Sequence, residues 1–295
     1  MQIPSHEQLL EAGVHFGHQV RRWNPRMKPF IFMARNGIHI IDLKKTRACL
    51  EDAANLVARV AADGKGVLFV STKKQGRECV REQAQKCGQF FVTERWLGGT
   101  LTNHKTVYMS VHRLEELQKM EEEGFAAGLT KKERLSKVRE RERLEKYMGG
   151  IRGMKEIPGA VVVVDIKKEN IAVLEARKLG IPCIAIVDTN CDPTSVDYPV
   201  PGNDDAIKSI SLIVSTLAEA VLLGREGVDS GPGPEDQEAP EQEQEPARKE
   251  EAGETASPRA GETKGKEPAP KPEKKARPKA STARKTRKPE EKEES

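Results

Sequence analysis

Apolar residues over the first 228 positions follow two rhythms. Short continuous runs have the length and β-branched content of strands covered on both faces: "GVLFVST" at 66–72, "FFVT" from Phe90, "GAVVVVD" at 159–165 and "IPCIAIVD" from Ile181. Between these runs the apolar positions recur at three- and four-residue steps. Cys49, Leu50, Ala53, Val57 and Val60 do so in a helix expected over 45–62, with Gly64 as its stop. Further helices are expected over 76–86, 169–179 and 205–223. Buried strands alternating with helices predict a doubly wound α/β sandwich with a mainly parallel sheet.

Two segments break the alternation. Near the N-terminus, Ser5 and Gln8 have the spacing of a capping box for a short helix that carries Leu9 and Leu10 and stops at Gly13. "FIFMARNGIHII" then places apolar residues on both sides of Asn36-Gly37, a hairpin signal, because both turn positions need positive φ. The second segment, 103–148, carries 11 Lys+Arg and nine Asp+Glu. Val107, Val111, Leu114 and Leu117 form one narrow stripe. After a break at Gly124–Gly128, Thr130 and Glu133 offer a second capping box before Leu135, Val138 and Leu144. This predicts an inserted antiparallel helical hairpin that projects from the sheet domain.

Composition changes at Asp229. From there to Ser295 there is no Val, Ile, Leu, Met, Phe, Tyr, Trp or Cys, and ten of the 18 prolines fall there. Such a segment buries too little apolar surface to offset chain entropy, so 229–295 is expected to be a disordered tail and 1–228 the folded domain. The tail holds 15 Lys+Arg against 17 Asp+Glu, segregated into an acidic stretch and then a basic one. That leaves 35 basic and 29 acidic residues in the domain, a net of +6 that suits an anionic partner. Five cysteines without a CxxC pair suit free thiols in a reducing compartment. The chain shows no signal-peptide pattern and no apolar run of membrane-span length, and is expected to be a cytoplasmic protein without membrane partners.

A doubly wound fold raises the prospect of a nucleotide enzyme, and the loops that such chemistry requires are missing. The turn "STKKQGRE" after the first buried strand has neither G-x-G-x-x-G nor G-x-x-x-x-G-K-[ST]. The chain has no G-x-S-x-G elbow and no H-E-x-x-H. Gly98-Gly99 precede a helix capped by Thr102 or Asn103 and serve either as a phosphate cradle or as a bend.

"GVHFGHQVRRWNPRMKPFIF", residues 13–32, gathers Arg21, Arg22, Arg26 and Lys28 around Trp23. Pro25 and Pro29 are expected to stiffen this stretch into extended geometry. Arginines fork onto phosphates and an indole stacks on a base, so the stretch reads as an RNA surface; the alternative is that Trp23 packs on the domain and the arginines are solvated. Lys73, Lys74, Arg95 and Lys105 add phosphate-neutralising charge, and Trp96 is a second stacking or packing platform. His15 and His18 have a spacing that would bring both to one side of a helical turn. His18 with Asp188 and Asp205, both expected at the carboxyl edge of the sheet, would make a mixed nitrogen–oxygen site for structural zinc or magnesium. Against this, Asp188 starts a turn, and Asn203, Asp204 or Asp205 caps the last helix.

Several long blocks, "GVHFGHQVRRWNPRMKPFIF", "RNGIHIIDL", "RWLGGTLTN", "IPGAVVVVDI" and "LGIPCIAIVDTNCDP", followed by "VPGNDDAI", closely resemble the bacterial small-subunit ribosomal protein S-two family, in order, over about residues 2–225. The resemblance implies a flavodoxin-like α/β domain with an inserted helical hairpin and a structural role without catalysis. It implies binding to small-subunit rRNA rather than DNA, contact with neighbouring ribosomal proteins, and help in docking the large mRNA-binding ribosomal protein S-one. The family pattern has no counterpart for the long tail. A second reading stands beside it: a nucleotide- or sugar-phosphate-binding enzyme or sensor that uses the carboxyl edge of the sheet, with Asp188 and Asp205 holding a cation.

Overall fold

The structure, a computed structural model, describes residues 3–124 and 130–229. The chain divides into two units, Met1–Asp236 and Gln237–Ser295, and only the first contains described residues. The tail from residue 230 and the Gly128 side of the break between the charged helices lie outside them.

Ser5 caps α1 (His6–Glu11) through the full capping box with Gln8. Next come β1 (Phe16–Gln19), a 3-10 turn over Pro25–Phe30, β2 (Ile31–Arg35) and β3 (Ile38–Ile41). The β2–β3 turn has positive φ at Asn36 (53°) and Gly37 (76°), as the hairpin requires. These strands form a small antiparallel sheet in the order β1-β3-β2. Asp42 caps α2 (Leu43–Ala62) by accepting from the Lys44 N–H. The main unit continues through β4 (Val67–Val70), α3 (Arg77–Lys86), β5 (Phe90–Val92), α4 (His104–Glu122), α5 (Lys131–Met148), β6 (Ala160–Val164), α6 (Asn170–Leu179), β7 (Cys183–Val187), β8 (Tyr198–Pro201) and α7 (Ile207–Asp229).

The main sheet is wholly parallel, in the order β5-β4-β6-β7-β8. This is the flavodoxin-like 2-1-3-4-5 arrangement, with its switch point between β4 and β6. Alternate strand residues feed two cores. Val67, Phe69, Val162, Ile184 and Ile186 pack under α2, α3 and α7, while Leu68, Val70, Val161, Val163 and Ala185 pack under α6 and the base of the hairpin. Each fully buried aliphatic or aromatic side chain contributes about 1.5–3 kcal/mol, so both faces of the sheet are well anchored.

The hairpin has its expected seam. Val107, Val111, Leu114 and Leu117 are buried, and Thr130 and Glu133 form the second capping box. Leu135 is exposed, and Val138 and Leu144 are only half-buried. Polar pairs close the remaining interface: Arg113 to Glu140 at 3.4 Å, Gln118 to Glu145 at 2.8 Å and Arg141 to Glu121 at 2.5 Å.

Three expectations are corrected. Residues 16–19 form a strand rather than a helical turn, and the two histidines have different surroundings: His15, just before the strand, lines a groove with Leu10 and Phe32, while His18 meets Asp188. Pro25 and Pro29 lie in the 3-10 turn, not in extended backbone, because Pro25 occupies its first position, where the missing N–H costs nothing. A stretch of membrane-span length and apolarity does exist, Ile207–Glu226 in α7, but its buried face, Ile210, Ile213, Val214, Leu217 and Val221, is part of the core. β8 was not expected at all; Pro199 and Pro201 obscure it, and an edge strand tolerates them.

Candidate nucleic-acid interface

In this fold a ligand would enter at the carboxyl ends of the strands, beside the β4–β6 switch point. The protein's own side chains fill that space. Glu169, at the start of α6, is buried and accepts from the Thr72 N–H (2.8 Å) and Thr72 Oγ1 (2.5 Å) on the β4 side. Burial pushes the Glu169 carboxyl up, and the two Thr72 bonds only partly counter it. Lys168 Nζ and Arg77 Nε both donate to the Thr72 carbonyl. The turn that would cradle a phosphate is therefore tied across to the start of α6.

Lys73 has a related role. Its ammonium lies 2.8 Å from Asp204, 2.7 Å from Asp205 and 3.6 Å from Asp165, and the side chain is 12 % exposed. Burial opposes its charge, but the bonds to Asp204 and Asp205 outweigh that and hold its pKa above the ordinary lysine range. Lys73 thus faces inward as a counter-ion instead of presenting its charge to a phosphate. Asp204 is buried beside Asp188 and is pushed up to about 6 by that burial and repulsion, against the pull of Lys73.

The N-terminal ribbon closes over this cluster. Gly17 allows the approach: a Cβ there would lie 2.6 Å from Thr189 Cγ2. The His18 N–H reaches Thr189 Oγ1 (2.9 Å) and Asp188 Oδ1 (3.1 Å), and the Asn24 N–H reaches the Thr189 carbonyl (2.8 Å). His18 Nδ1 is 2.9 Å from Asp188 and Nε2 is 3.5 Å from Asp205. The bond to Asp188 raises the pKa of His18 against the effect of burial. The expected metal set needs a correction here. Asp188 and Asp205 meet opposite nitrogens of the ring, so one imidazole nitrogen cannot bring both to one ion. The donors that converge within 4.8 Å are those of His18, Asp188 and Asp204.

A second buried acid fills the Gly98-Gly99 loop. Glu175 of α6 accepts from Trp96 Nε1 (3.1 Å), the N–H groups of Gly99 (2.8 Å), Leu101 (3.0 Å) and Thr102 (3.1 Å), and Thr102 Oγ1 (3.1 Å). Of the two readings of Gly98-Gly99, a phosphate cradle is thus disfavoured, because these amides hold an internal carboxylate. Trp96, 7 % exposed, is a packing residue rather than a stacking platform. Trp23 is different: 37 % exposed, it rests on the buried His39 ring with centroids 5.4 Å apart.

The remaining candidate cations are exposed. Arg21, Arg22 and Lys28 surround Trp23; Lys74 and Arg95 lie on the loops after β4 and β5; Lys105 opens α4. The first two groups lie at or just beyond the carboxyl edge of the sheet, while α4 starts beside the Met154 carbonyl, on the segment that leads into β6. Arg26 is exposed but committed in part, donating to Asp192 and to Thr194 Oγ1. Sequence reasoning missed Asp165, Glu169, Glu175 and Asp204. Glu175 left one legible signal, for it falls on the apolar stripe of Ala172, Val173 and Ala176.

These features define a flavodoxin-like α/β protein whose ligand crevice is closed by internal ion pairs and whose exposed edge is cationic. The family model described as Ribosomal protein S2 matches residues 9–224, and the chain belongs to that family, whose members are structural proteins of the small ribosomal subunit.

Proposed function

We propose that the protein binds small-subunit rRNA through the exposed cations at the carboxyl edge of its sheet, with Trp23 available to stack. One observation carries this reading: the crevice that serves ligands in this fold is filled by Glu169, Lys73 and their partners, while Arg21, Arg22, Lys28, Lys74 and Arg95 remain exposed around it and Lys105 is exposed at the start of α4. Such contacts position a protein on folded RNA without reading sequence. The test is occupancy of small subunits by the variant with Ala at 21, 22, 26 and 28. Occupancy should fall at moderate salt, and the salt dependence of rRNA binding should flatten by about 2–3, at about 0.7–0.9 for each phosphate no longer neutralised. Wild-type occupancy would overturn the assignment.

The N-terminal unit also supports docking of neighbouring ribosomal proteins, S-one among them. Phe32 is 70 % exposed and borders an apolar groove of about 420 Å³ with Leu10, His15, Ile40 and Ile41. Exposed apolar patches of this kind mark protein contacts. Phe32→Ser should release S-one from purified subunits while leaving the protein itself bound.

The His18, Asp188 and Asp204 donors fit a structural zinc or magnesium ion, because four carboxylates, Asp165, Asp188, Asp204 and Asp205, share two ion-pairing side chains, Lys73 and His18, among the described residues. Metal content of the purified protein should fall in His18→Ala, and equal content would end this assignment.

A further inference from the structure

The helical hairpin divides its charge unevenly. α4 carries three Lys+Arg against four Glu, whereas α5 carries eight against four. Three of the four acids of α5 turn toward α4 or into the cap of α5: Glu140 meets Arg113, Glu145 meets Gln118 and Glu133 caps Thr130. Lys137 and Arg141 also face α4, through Met120 and Glu121. The opposite side of α5 carries Lys132, Arg139, Arg143 and Lys146. At 3.6 residues per turn these four fall within an arc of about 60° and span about 21 Å. All are exposed. Lys132, Arg139 and Arg143 make no ion pair among the described residues, and Lys146 has only a 3.8 Å approach to Glu94.

We infer that this stripe on α5 is a second rRNA-binding surface, separate from the carboxyl edge of the sheet, that grips a run of backbone phosphates. The inference rests on the rRNA-binding reading above and assigns the hairpin its partner. An RNA backbone suits the stripe better than a protein does. Protein interfaces have apolar cores depleted in lysine, and among the described residues the only large apolar side chain exposed on this side is Leu135. Phosphates ask only for spaced, unpaired cations, with arginine forks at the centre. Glu142 borders the stripe and, among the described residues, forms no ion pair with it.

The test uses the full chain and purified small-subunit rRNA, with the slope of log affinity against log salt as readout. K132Q/R139Q/R143Q/K146Q should lower that slope by about 3 and weaken binding at least tenfold at physiological salt. Glutamine keeps helix propensity, so the melting temperature should stay that of wild type. E115Q/E116Q/E122Q on α4 should leave slope and affinity unreduced. The charge-preserving K132R/R139K/R143K/K146R should keep the wild-type slope, which settles the matter should the glutamine variant melt early. An unchanged slope in the glutamine variant overturns the inference, and so does release of a neighbouring ribosomal protein with rRNA affinity intact. Failure of the wild-type protein to bind rRNA at all would instead remove the parent reading.

Discussion

At Glu175 one carboxylate holds together three parts of the chain: α6, the Gly98–Thr102 loop and Trp96. Burial alone would push its pKa up, but the amides of Gly99, Thr102 and Leu101 and the indole of Trp96 outweigh that and hold it below the ordinary range. Glu175→Gln turns an amide NH2 toward donors that need an acceptor. It should cost about 2–4 kcal/mol, read as a lower denaturant midpoint, since bonds to charged groups are worth about 1.5–3 kcal/mol each and unsatisfied donors add to the penalty. Because the folded pKa is lowered, the carboxylate stabilises the fold fully above its unfolded value of about 4.3, and that contribution fades as pH falls through the folded value. The stability gap between wild type and Glu175→Gln should therefore narrow on acidification below that range. Lys73 gives a second check at this scale. Lys73→Ala leaves Asp204 buried without its cation and should cost about 3 kcal/mol, whereas Lys74→Ala, at an exposed position, should leave the melting temperature unchanged.

Among the elements, two glycines, Gly17 and Gly224, set how closely neighbours pack. A Cβ at Gly224 in α7 would lie 2.2 Å from the Ala58 carbonyl oxygen of α2, so these helices meet backbone to backbone. Gly224→Ala has to separate them and should cost about 1–3 kcal/mol in thermal unfolding, the usual range for overpacking. The elements best legible in the sequence were those whose partners are local or generic. The runs at 66–72 and 159–165 and the stripe of α2 have a period that any apolar face satisfies, and the Asn36-Gly37 turn is encoded in its own backbone. β1 was not legible, because its pairing with β3 is short and irregular and its other partners, Thr189 and Asp188, lie some 170 residues away across the close approach at Gly17. The candidate site failed in the same way. Asp188 and His18 do lie in contact, but Lys73, Glu169 and Glu175 are charged residues in helices, helix starts and loops. In sequence Lys73 and Glu169 look like solvated faces, and only the sheet's topology turns all three inward.

For the whole molecule, the decisive feature is that an architecture built to open a crevice at its switch point has closed it with paired charges. Opening it would mean breaking the Thr72–Glu169 bonds and parting Lys73 from Asp204, which would leave the buried Glu169 and Asp204 carboxylates without these partners. Removing one member of a buried charged pair costs about 3–5 kcal/mol. A nucleotide or sugar phosphate would also bring its negative charge toward Asp165, Asp204, Asp205 and Glu169, which repels it further. Calorimetric titration of the protein with nucleotides and sugar phosphates at millimolar concentration should therefore give no saturable heat, while titration with small-subunit rRNA should give salt-dependent binding. Saturable nucleotide binding that Thr72→Val or Lys73→Ala abolished would place a ligand in the crevice and favour the enzyme or sensor reading. Without it, the ion pairs at the switch point stand as internal bracing, which holds the N-terminal ribbon and its arginines in place at the sheet's edge.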